Sequence, residues 1–245
     1  MIGAAFFYGG VVALLLGLGL VIRPVASLRV RTRRRALLVT AIALAAAICA
    51  LAAPAFESRV SRAASRLDEV TPAWQFHEVH RIRIEAPAAR VFDALRQVRA
   101  DEIFLFRTLT WIRRGGRPLQ QTILDAGSRE PLIDVATHTS FVVLADEGPR
   151  ELVIGTIIAA PPGTHGKLTP RVFQVSLPPG FVLATMNFLV TPDGPDACYL
   201  STETRVFANE ASVRRRFAVY WRMIYPGSAL IRRMWLRAIE RRATT

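Results

Sequence analysis

Two uncharged stretches of 21 residues each, Ile2 to Ile22 and Ala36 to Phe56, constrain this chain most. About 20 apolar residues in a helix are enough to cross the hydrocarbon core of a bilayer, so the sequence predicts two transmembrane helices within residues 1–56. Small residues recur at every fourth position of the first stretch, at Gly9, Ala13 and Gly17, which favours a close-packed hairpin. Such residues are also common in membrane helices generally, so a looser pair stays open.

The segment between the two stretches, Arg23 to Arg35, carries six arginines and no acid. Arginine-rich loops stay in the cytoplasm, so we expect a cell-membrane protein with two spans whose remaining chain is extracytoplasmic. A second interpretation is open. Arg31 to Arg35, the apolar run and Ala53-Pro54-Ala55 resemble a secretory signal with a small-residue cleavage site, although the run is long for one. Both interpretations place the remaining chain outside the cytoplasm.

The charge of the chain gives little support to nucleic-acid binding. Lys and Arg number 32 against 19 Asp and Glu, for a net charge of +13, but Lys167 is the only lysine, a bias that we attribute to genome composition. Outside the loop, 26 basic residues face 19 acidic ones, the balance of one ordinary domain. Cys49 and Cys198 fall in a membrane segment and a folded domain, so we expect no disulfide and no cysteine-metal site.

After the second stretch, residues 57–73 are polar and predict a linker or helical stalk. Trp74 to Ala86 alternates with the period of a half-buried strand, and Pro87 then begins a short helix. β-rich runs between Pro- and Gly-containing turns predict further strands, which are Thr139–Ala145, Glu151–Ile158, Val172–Leu177, Phe181–Thr191 and Ala197–Phe207.

A long amphipathic helix closes the chain. Asn209 is the predicted cap, the helix runs from Glu210 to about Arg242, and Pro226 is expected to kink or break it. A sheet of antiparallel strands has one face to bury, and this helix is the available cover. The sequence therefore predicts an α+β domain over residues 74–245.

This order of elements and the segment Ile84-Glu85-Ala86-Pro87-Ala88-Ala89-Arg90-Val91-Phe92 resemble the SRPBCC superfamily, the group of START, Bet v 1 and polyketide-cyclase proteins. The block Ser201 to Val206, with Phe217, Tyr220-Trp221 and Ser228 to Arg233, resembles an uncharacterised bacterial branch of it. The resemblance implies a helix-grip fold, in which a curved antiparallel sheet wraps the long C-terminal helix and leaves an apolar cavity for a hydrophobic small molecule. The membrane hairpin lies outside the resemblance.

Two polar residues of the first strand are candidate ligand contacts. Glu78 and His80 share the parity of Phe76 and Ile82, which places a carboxylate and an imidazole on the inward side of the sheet. The alternative is that one or both lie at an open strand end and are solvated.

Further candidates lie on the later strands and the last helix. Glu203 and Arg205 share a strand face and predict an ion pair, which either holds the sheet to the terminal helix or orients an anionic head group. Asn187 is a weaker polar candidate. Tyr220 and Trp221 either line the pocket or pack in the core. The arginines on the opposite side of that helix predict a solvated face that can also contact anionic membrane lipids.

Metal and cofactor chemistry find no support in the sequence. His77 and His80 are three residues apart on one strand and therefore point to opposite faces, while His138 and His165 fall in predicted loops. There is no nucleophile elbow and no phosphate loop, so no catalytic residue and no cofactor is predicted.

The leading hypothesis is a membrane-anchored binding or carrier domain for a lipid-like or polyketide-like molecule. One alternative is a cyclase or dehydratase in which Glu78 or His80 acts as general acid or base. Another is a non-catalytic membrane scaffold with a protein partner that the sequence does not identify.

Overall fold

The computed structural model describes residues 2–22, 32–113, 115–117, 130–164 and 166–245. The helices are α1 (Ile2–Ile22), α2 (Arg33–Ala52), α3 (Arg66–Val70), α4 (Ala88–Gln97), α5 (Phe106–Arg113), α6 (Leu132–Thr139) and α7 (Ala211–Thr244). The strands are β1 (Ser58–Arg59), β2 (Ala73–Trp74), β3 (Phe76–Ile84), β4 (Val142–Glu147), β5 (Glu151–Ala159), β6 (Val182–Pro192) and β7 (Cys198–Ala208).

Contacts divide the chain into two compact units. The hairpin unit comprises the residues up to Ala55 together with Arg215–Tyr225, and the sheet unit comprises residues 56–214 and 226–245. The helix α7 contributes to both units. The domain boundaries at residues 56 and 73 stay a prediction.

In the hairpin unit, α1 and α2 are both long and apolar enough to cross a membrane, by length and composition. They pack closely at Gly10 and Gly17. A Cβ atom on Gly10 would come within 3.0 Å of Ala47, and one on Gly17 within 2.6 Å of the Thr40 hydroxyl. The contact positions are thus seven residues apart, whereas Gly9 faces open space. Most of the arginine-rich loop, residues 23–31, lies outside the described residues.

A segment of α7 completes the hairpin unit. The last carbonyl groups of a helix have no partner within it, and Arg222 satisfies two of them near the end of α2. Its guanidinium donates to the carbonyl oxygens of Leu51 at 2.7 Å and Ala53 at 2.6 Å. The Tyr8 hydroxyl of α1 donates to the Met223 carbonyl at 2.8 Å.

The sheet unit is built on a five-stranded antiparallel sheet in the order β3-β7-β6-β5-β4. One face packs against α4, α6 and the C-terminal half of α7. Trp235, Leu236 and Ile239 of α7 are buried there in one apolar core with Ile84 and Phe188 of the sheet. The predicted α+β class, with an antiparallel sheet gripping a long C-terminal helix after two apolar helices, is confirmed.

Several local predictions were wrong. Residues Val172–Leu177 are not a strand, because Pro170 begins a 3₁₀ turn that ends at Phe173. Residue Thr139 ends helix α6, so the next strand begins only at Val142. The helix α7 begins after Glu210, which occupies the cap position predicted for Asn209. It continues through Pro226, so the predicted break is absent, whereas the alternative of a kink stays a prediction.

Candidate functional site

A buried polar cluster lies on the helix-covered face of the sheet. Glu78 is 1% exposed and has one carboxylate oxygen 2.7 Å from His80 Nε2. Its other oxygen accepts a hydrogen bond from the Ser228 hydroxyl of α7 at 2.9 Å. The Nε of Arg233 lies 3.5 Å from His80 Nδ1.

Cationic and donor groups of α7 adjoin this cluster. Burial lowers the pKa of Arg232 to about 10; the Glu78 carboxylate opposes this shift and the Arg113 charge adds to it. Arg232 therefore remains protonated at neutral pH. Its guanidinium contacts the Met186 sulfur, and the indole N–H of Trp235 is buried without a hydrogen-bond partner in the described part of the chain.

The opposite face of the sheet carries a second polar cluster, centred on Glu151. This carboxylate is fully buried and accepts from the Asn187 amide at 2.7 Å. It also accepts from the backbone N–H groups of Arg66 at 2.8 Å and Leu67 at 3.3 Å, at the first turn of α3. The Asn187 oxygen in turn accepts from the Glu203 backbone at 3.1 Å. Residue Glu151 thus joins α3 to the sheet.

Arg205 lies on that same face, with its donors occupied by protein groups. It donates to Glu203 at 2.5 Å, Asp68 at 2.6 Å and the Thr71 carbonyl at 2.9 Å. Its guanidinium also stacks 4.1 Å above the Trp74 ring centroid. The predicted Glu203–Arg205 ion pair is present, but it attaches residues 68–74 to the sheet rather than the terminal helix.

Charge stabilises the carboxylates of this second cluster. Burial alone would raise the pKa of Glu203, but hydrogen bonds from His77 and Arg205 outweigh it and lower the pKa. The pKa of Asp68 is lowered in the same way, against burial, by bonds from the Ala64 backbone and Arg205. Both groups therefore stay ionised at neutral pH, as an ion-pair network requires.

A cavity of about 370 Å³ lies on this face, beside the second cluster. It is open to solvent on one side and is lined by strands β6 and β7, residues 70–73 and residues 172–177. The apolar lining side chains are Val70, Pro72, Ala73, Val172, Phe173, Val175, Leu177, Phe181, Leu183 and Phe207. Polar groups come from Thr71, Ser176, Thr185 and Asn209.

The 3₁₀ turn forms one wall of the cavity because of a glycine. A Cβ atom on Gly155 would lie 2.5 Å from the Phe173 ring, so only glycine lets that ring pack against β5. Asn209 fixes another wall, since its side chain accepts from the Phe181 N–H at 2.9 Å and donates to the Pro178 carbonyl at 2.7 Å. Sequence reasoning missed this cavity because it assigned residues 172–177 to a strand.

The cavity position differs from the one that the resemblance implies. Leu183 and Thr185 of β6 line it, whereas the alternate residues Met186 and Phe188 face α7. It therefore lies on the face opposite α7, while the face beneath α7 is filled around Phe188 and Trp235 by side chains of the core.

The structure distributes the sequence-predicted site residues over three places. Glu78 and His80 meet beneath α7, while Asn187, Glu203 and Arg205 share the opposite face. Tyr220 and Trp221 belong to the hairpin unit, where each ring lies near Phe217, at 5.6 and 6.0 Å between centroids. A ligand-binding role for these residues stays a prediction.

Sequence reasoning missed Glu151, Ser228 and Arg232. A signal for the last two was present, because residues 228, 232 and 235 follow the i, i+4, i+7 spacing of one helix face. Arg232 was instead assigned to the solvated basic face, and this was wrong, since it contacts Met186 and its charge is desolvated.

The histidines do not converge. His77 pairs with Glu203 at 2.8 Å and His80 with Glu78 at 2.7 Å, on opposite faces of β3. His138 lies near the end of α6, and His165 lies outside the described residues. No group of three or more potential metal ligands occurs among the residues that the structure describes.

No family profile matches this chain, and no curated protein matches it. Among solved structures, protein MLL2253 of Mesorhizobium loti is similar at 16% identity, over 68% of this chain and 96% of its own, with a TM-score of 0.32. The Zhui aromatase/cyclase of a Streptomyces species shares 12% identity over 68% and 94% of the two chains, with a TM-score of 0.25. The di-domain ARO/CYC BexL of the BE-7585A biosynthetic pathway shares 14% identity over 86% and 59%, with a TM-score of 0.31.

Proposed function

We propose that this chain is a membrane-anchored binding or carrier domain of the SRPBCC type for a hydrophobic small molecule, lipid-like or polyketide-like. The observation that carries the proposal is the cavity of about 370 Å³ with a mainly apolar lining. Small-molecule sites are typically clefts of about 300 to 1,000 Å³ with apolar walls and a few polar groups that fix orientation.

The polar groups of the cavity are suited to an uncharged or weakly polar head. Thr71 and Thr185 bond to each other through their hydroxyl groups at 2.8 Å, and each hydroxyl also has acceptor capacity that can turn toward a ligand. Arg205 lies next to this pair but already binds Glu203, Asp68 and the Thr71 carbonyl. The cavity therefore favours apolar burial, with hydroxyl groups rather than a charge setting the orientation.

The exposed surfaces of α1 and α2 support the anchoring part of the proposal. Leu15 and Leu16 of α1 are 63% and 66% exposed, and Leu38 and Ile42 of α2 are 64% and 60% exposed. Apolar surface on this scale needs a cover, and a bilayer supplies it for helices of this length. The six loop arginines favour a cytoplasmic loop and an extracytoplasmic sheet unit.

Mass spectrometry of small molecules extracted from the purified full chain tests the binding proposal. We expect a stoichiometric apolar compound with the wild-type chain, and its loss when Leu183→Trp fills the cavity. Val143→Trp is the matched control, because Val143 is 40% exposed on β4 of the same sheet and outside the lining. Equal recovery from both variants would exclude the cavity as the binding site.

Anchoring and orientation are tested separately. The chain is expected to resist alkaline extraction from membranes, and a C-terminal tag is expected to be accessible in intact cells. A tag protected until lysis would contradict the orientation, and alkaline release of the whole chain would contradict the anchoring.

The Glu78 cluster favours a second candidate function, acid–base catalysis of the cyclase or dehydratase type. A buried carboxylate bonded to an imidazole and a hydroxyl can move a proton, provided that a substrate reaches it. Because the cavity lies on the opposite face of the sheet, this function needs a substrate that reaches the helix-covered face. Glu78→Gln and His80→Ala are expected to abolish turnover of that substrate while leaving binding in the cavity unchanged. Unchanged turnover would remove both residues from the chemistry.

A further inference from the structure

The helix α5 of the sheet unit is apolar on two sides. Its inner side is held in the core by Phe106, which is 4% exposed, and Thr110, which is 1% exposed. Its outer side carries Trp111 and Ile112, exposed by 56% and 59%. A helix with exposed large apolar side chains opposite its buried side needs a cover for that second side.

The exposed apolar surface extends to the residues that precede the helix. Phe104 is 64% exposed and Leu105 is 38% exposed, and both precede α5 by one or two positions. Within α5, Thr108, Trp111 and Ile112 follow helical spacing and lie on one side. Leu105 has a φ of +59°, so Phe104 and Leu105 belong to the turn before the helix and are not part of its face. Single exposed apolar residues are ordinary, but four large ones within nine positions mark an interaction surface.

The charge of the segment around α5 indicates which kind of partner it binds. Arg107 and Arg117 are exposed, and no acidic residue lies between Ile103 and Arg117 in the sequence. Trp, Phe and Leu beside arginines form the composition of a helix that lies in the interface of an anionic bilayer. The same pattern is poorly suited to a partner protein with a basic or neutral surface.

A neighbouring part of α7 extends the same surface. Phe104 lines a shallow hollow with Met234, Arg237 and Arg241. The acidic groups at its edge already have arginine partners, since Glu240 binds Arg237 at 2.7 Å and Glu102 binds Arg242 at 2.9 Å. Their charges are therefore compensated locally, so they do not cancel the attraction of the exposed Arg107 and Arg117 for an anion.

We propose that Phe104, Leu105, Trp111 and Ile112 insert into the interface of an anionic bilayer, with Arg107 and Arg117 on lipid phosphate groups, so that α5 is a second membrane contact of the chain. The proposal rests on the anchoring part of the proposed function and is independent of the ligand cavity. Anchoring by the hairpin raises the effective concentration of lipid at α5, so individually weak contacts suffice.

The experiment uses the full chain with Cys49→Ala and Thr108→Cys, labelled with a polarity-sensitive fluorophore. Cys198 is fully buried and should escape labelling. The chain is placed in detergent, in nanodiscs of phosphatidylcholine, and in nanodiscs of phosphatidylcholine with phosphatidylglycerol. We expect blue-shifted emission and weaker quenching by aqueous acrylamide in the anionic nanodiscs only, whereas a label at Val143→Cys should stay accessible in all three.

A variant that lacks two arginine charges tests whether those arginines bind the anionic lipid. An arginine near an anionic surface contributes about fivefold to binding, so Arg107→Gln with Arg117→Gln is expected to lower the docking equilibrium constant by up to about 25-fold. If the label is shielded in detergent as well, then protein covers α5, whether it comes from this chain, a second copy or another partner. That result would overturn the proposal.

Two further results would overturn it. The first is equal accessibility of the label in all three environments. The second is shielding of the label that is the same in nanodiscs with and without phosphatidylglycerol. Resistance to alkaline extraction, measured on the same labelled chain, reports hairpin anchoring independently. Failure at α5 is therefore distinguishable from failure of the anchor.

Discussion

Removing the Glu151 carboxylate is predicted to loosen the attachment of α3, and of the residues that precede it, to the sheet. The carboxylate is fully buried and accepts hydrogen bonds from the Asn187 amide, the Arg66 N–H and the Leu67 N–H. In Glu151→Ala these donors lose their acceptor, and each buried donor left unsatisfied costs about 1 to 3 kcal/mol. Since the Leu67 N–H and the Asn187 amide are both buried, we expect a total loss of about 2 to 6 kcal/mol in the free energy of unfolding.

The assay is thermal unfolding of the full chain in detergent, followed by tryptophan fluorescence. For a domain of this size about 1 kcal/mol shifts Tm by roughly 2 to 4 °C, so Glu151→Ala is expected to lower Tm by about 10 °C. Trypsin gives a second, local readout, because Arg59, Arg62 and Arg66 lie in the segment that should detach. Their cleavage is expected to accelerate below the unfolding temperature.

Glu147→Ala is the matched control. Glu147 lies on β4 next to β5, and its carboxylate binds the side chain of the same Arg66, with both groups well exposed. Exposed ion pairs contribute about 1 kcal/mol or less, so its Tm should change by only a few degrees. Equal Tm losses for the two variants, or unchanged trypsin cleavage in Glu151→Ala, would refute the reasoning.

Three further predictions concern charged groups. Arg205→Lys should lower Tm by about 4 to 10 °C, because lysine cannot bind Glu203, Asp68 and the Thr71 carbonyl together; a wild-type Tm would contradict it. The lowered pKa values of Asp68 and Glu203 stabilise the fold above the unfolded pKa, so Tm should fall as the pH drops below about 4; an unchanged Tm down to pH 3 would contradict it. Arg222→Ala should destabilise the hairpin unit by leaving the Leu51 and Ala53 carbonyls without its donors, seen as faster proteolysis near residue 53; Arg216→Ala is its control.

The periodicity of apolar residues predicted the helices and strands that bury only one of their faces. The strand β3 alternates between buried and exposed positions, so Phe76, Glu78 and Ile84 could be assigned to one face from sequence alone, and the structure buries all three. The helical spacing of apolar residues predicted α7 in the same way. The choice between a kink and a break at Pro226 could not be made from the sequence, because neighbouring packing decides whether a helix tolerates a proline.

The residues from distant parts of the chain that bind these polar side chains could not be predicted from periodicity. Parity places Glu203 and Arg205 together, but nothing in the strand itself indicates that Asp68 and Thr71 would come to bind Arg205 from more than 130 positions away. The polar composition of residues 57–73 predicted a linker. A five-residue helix with a Ser65 capping box and one buried leucine is too short to stand out from such a segment.

The position of the cavity follows from how the two faces of the sheet are covered. Beneath α7 the cover is continuous, and large side chains such as Trp235 and Leu236 fill the space against Phe188. On the other face the cover consists of α3, with Leu67 as its one buried residue, and the 3₁₀ turn at Pro170–Phe173. Short segments cannot fill a surface of several strands, so the hollow remains between them. The apolar ligand proposed above would complete on this face the packing that α4, α6 and α7 provide on the opposite one.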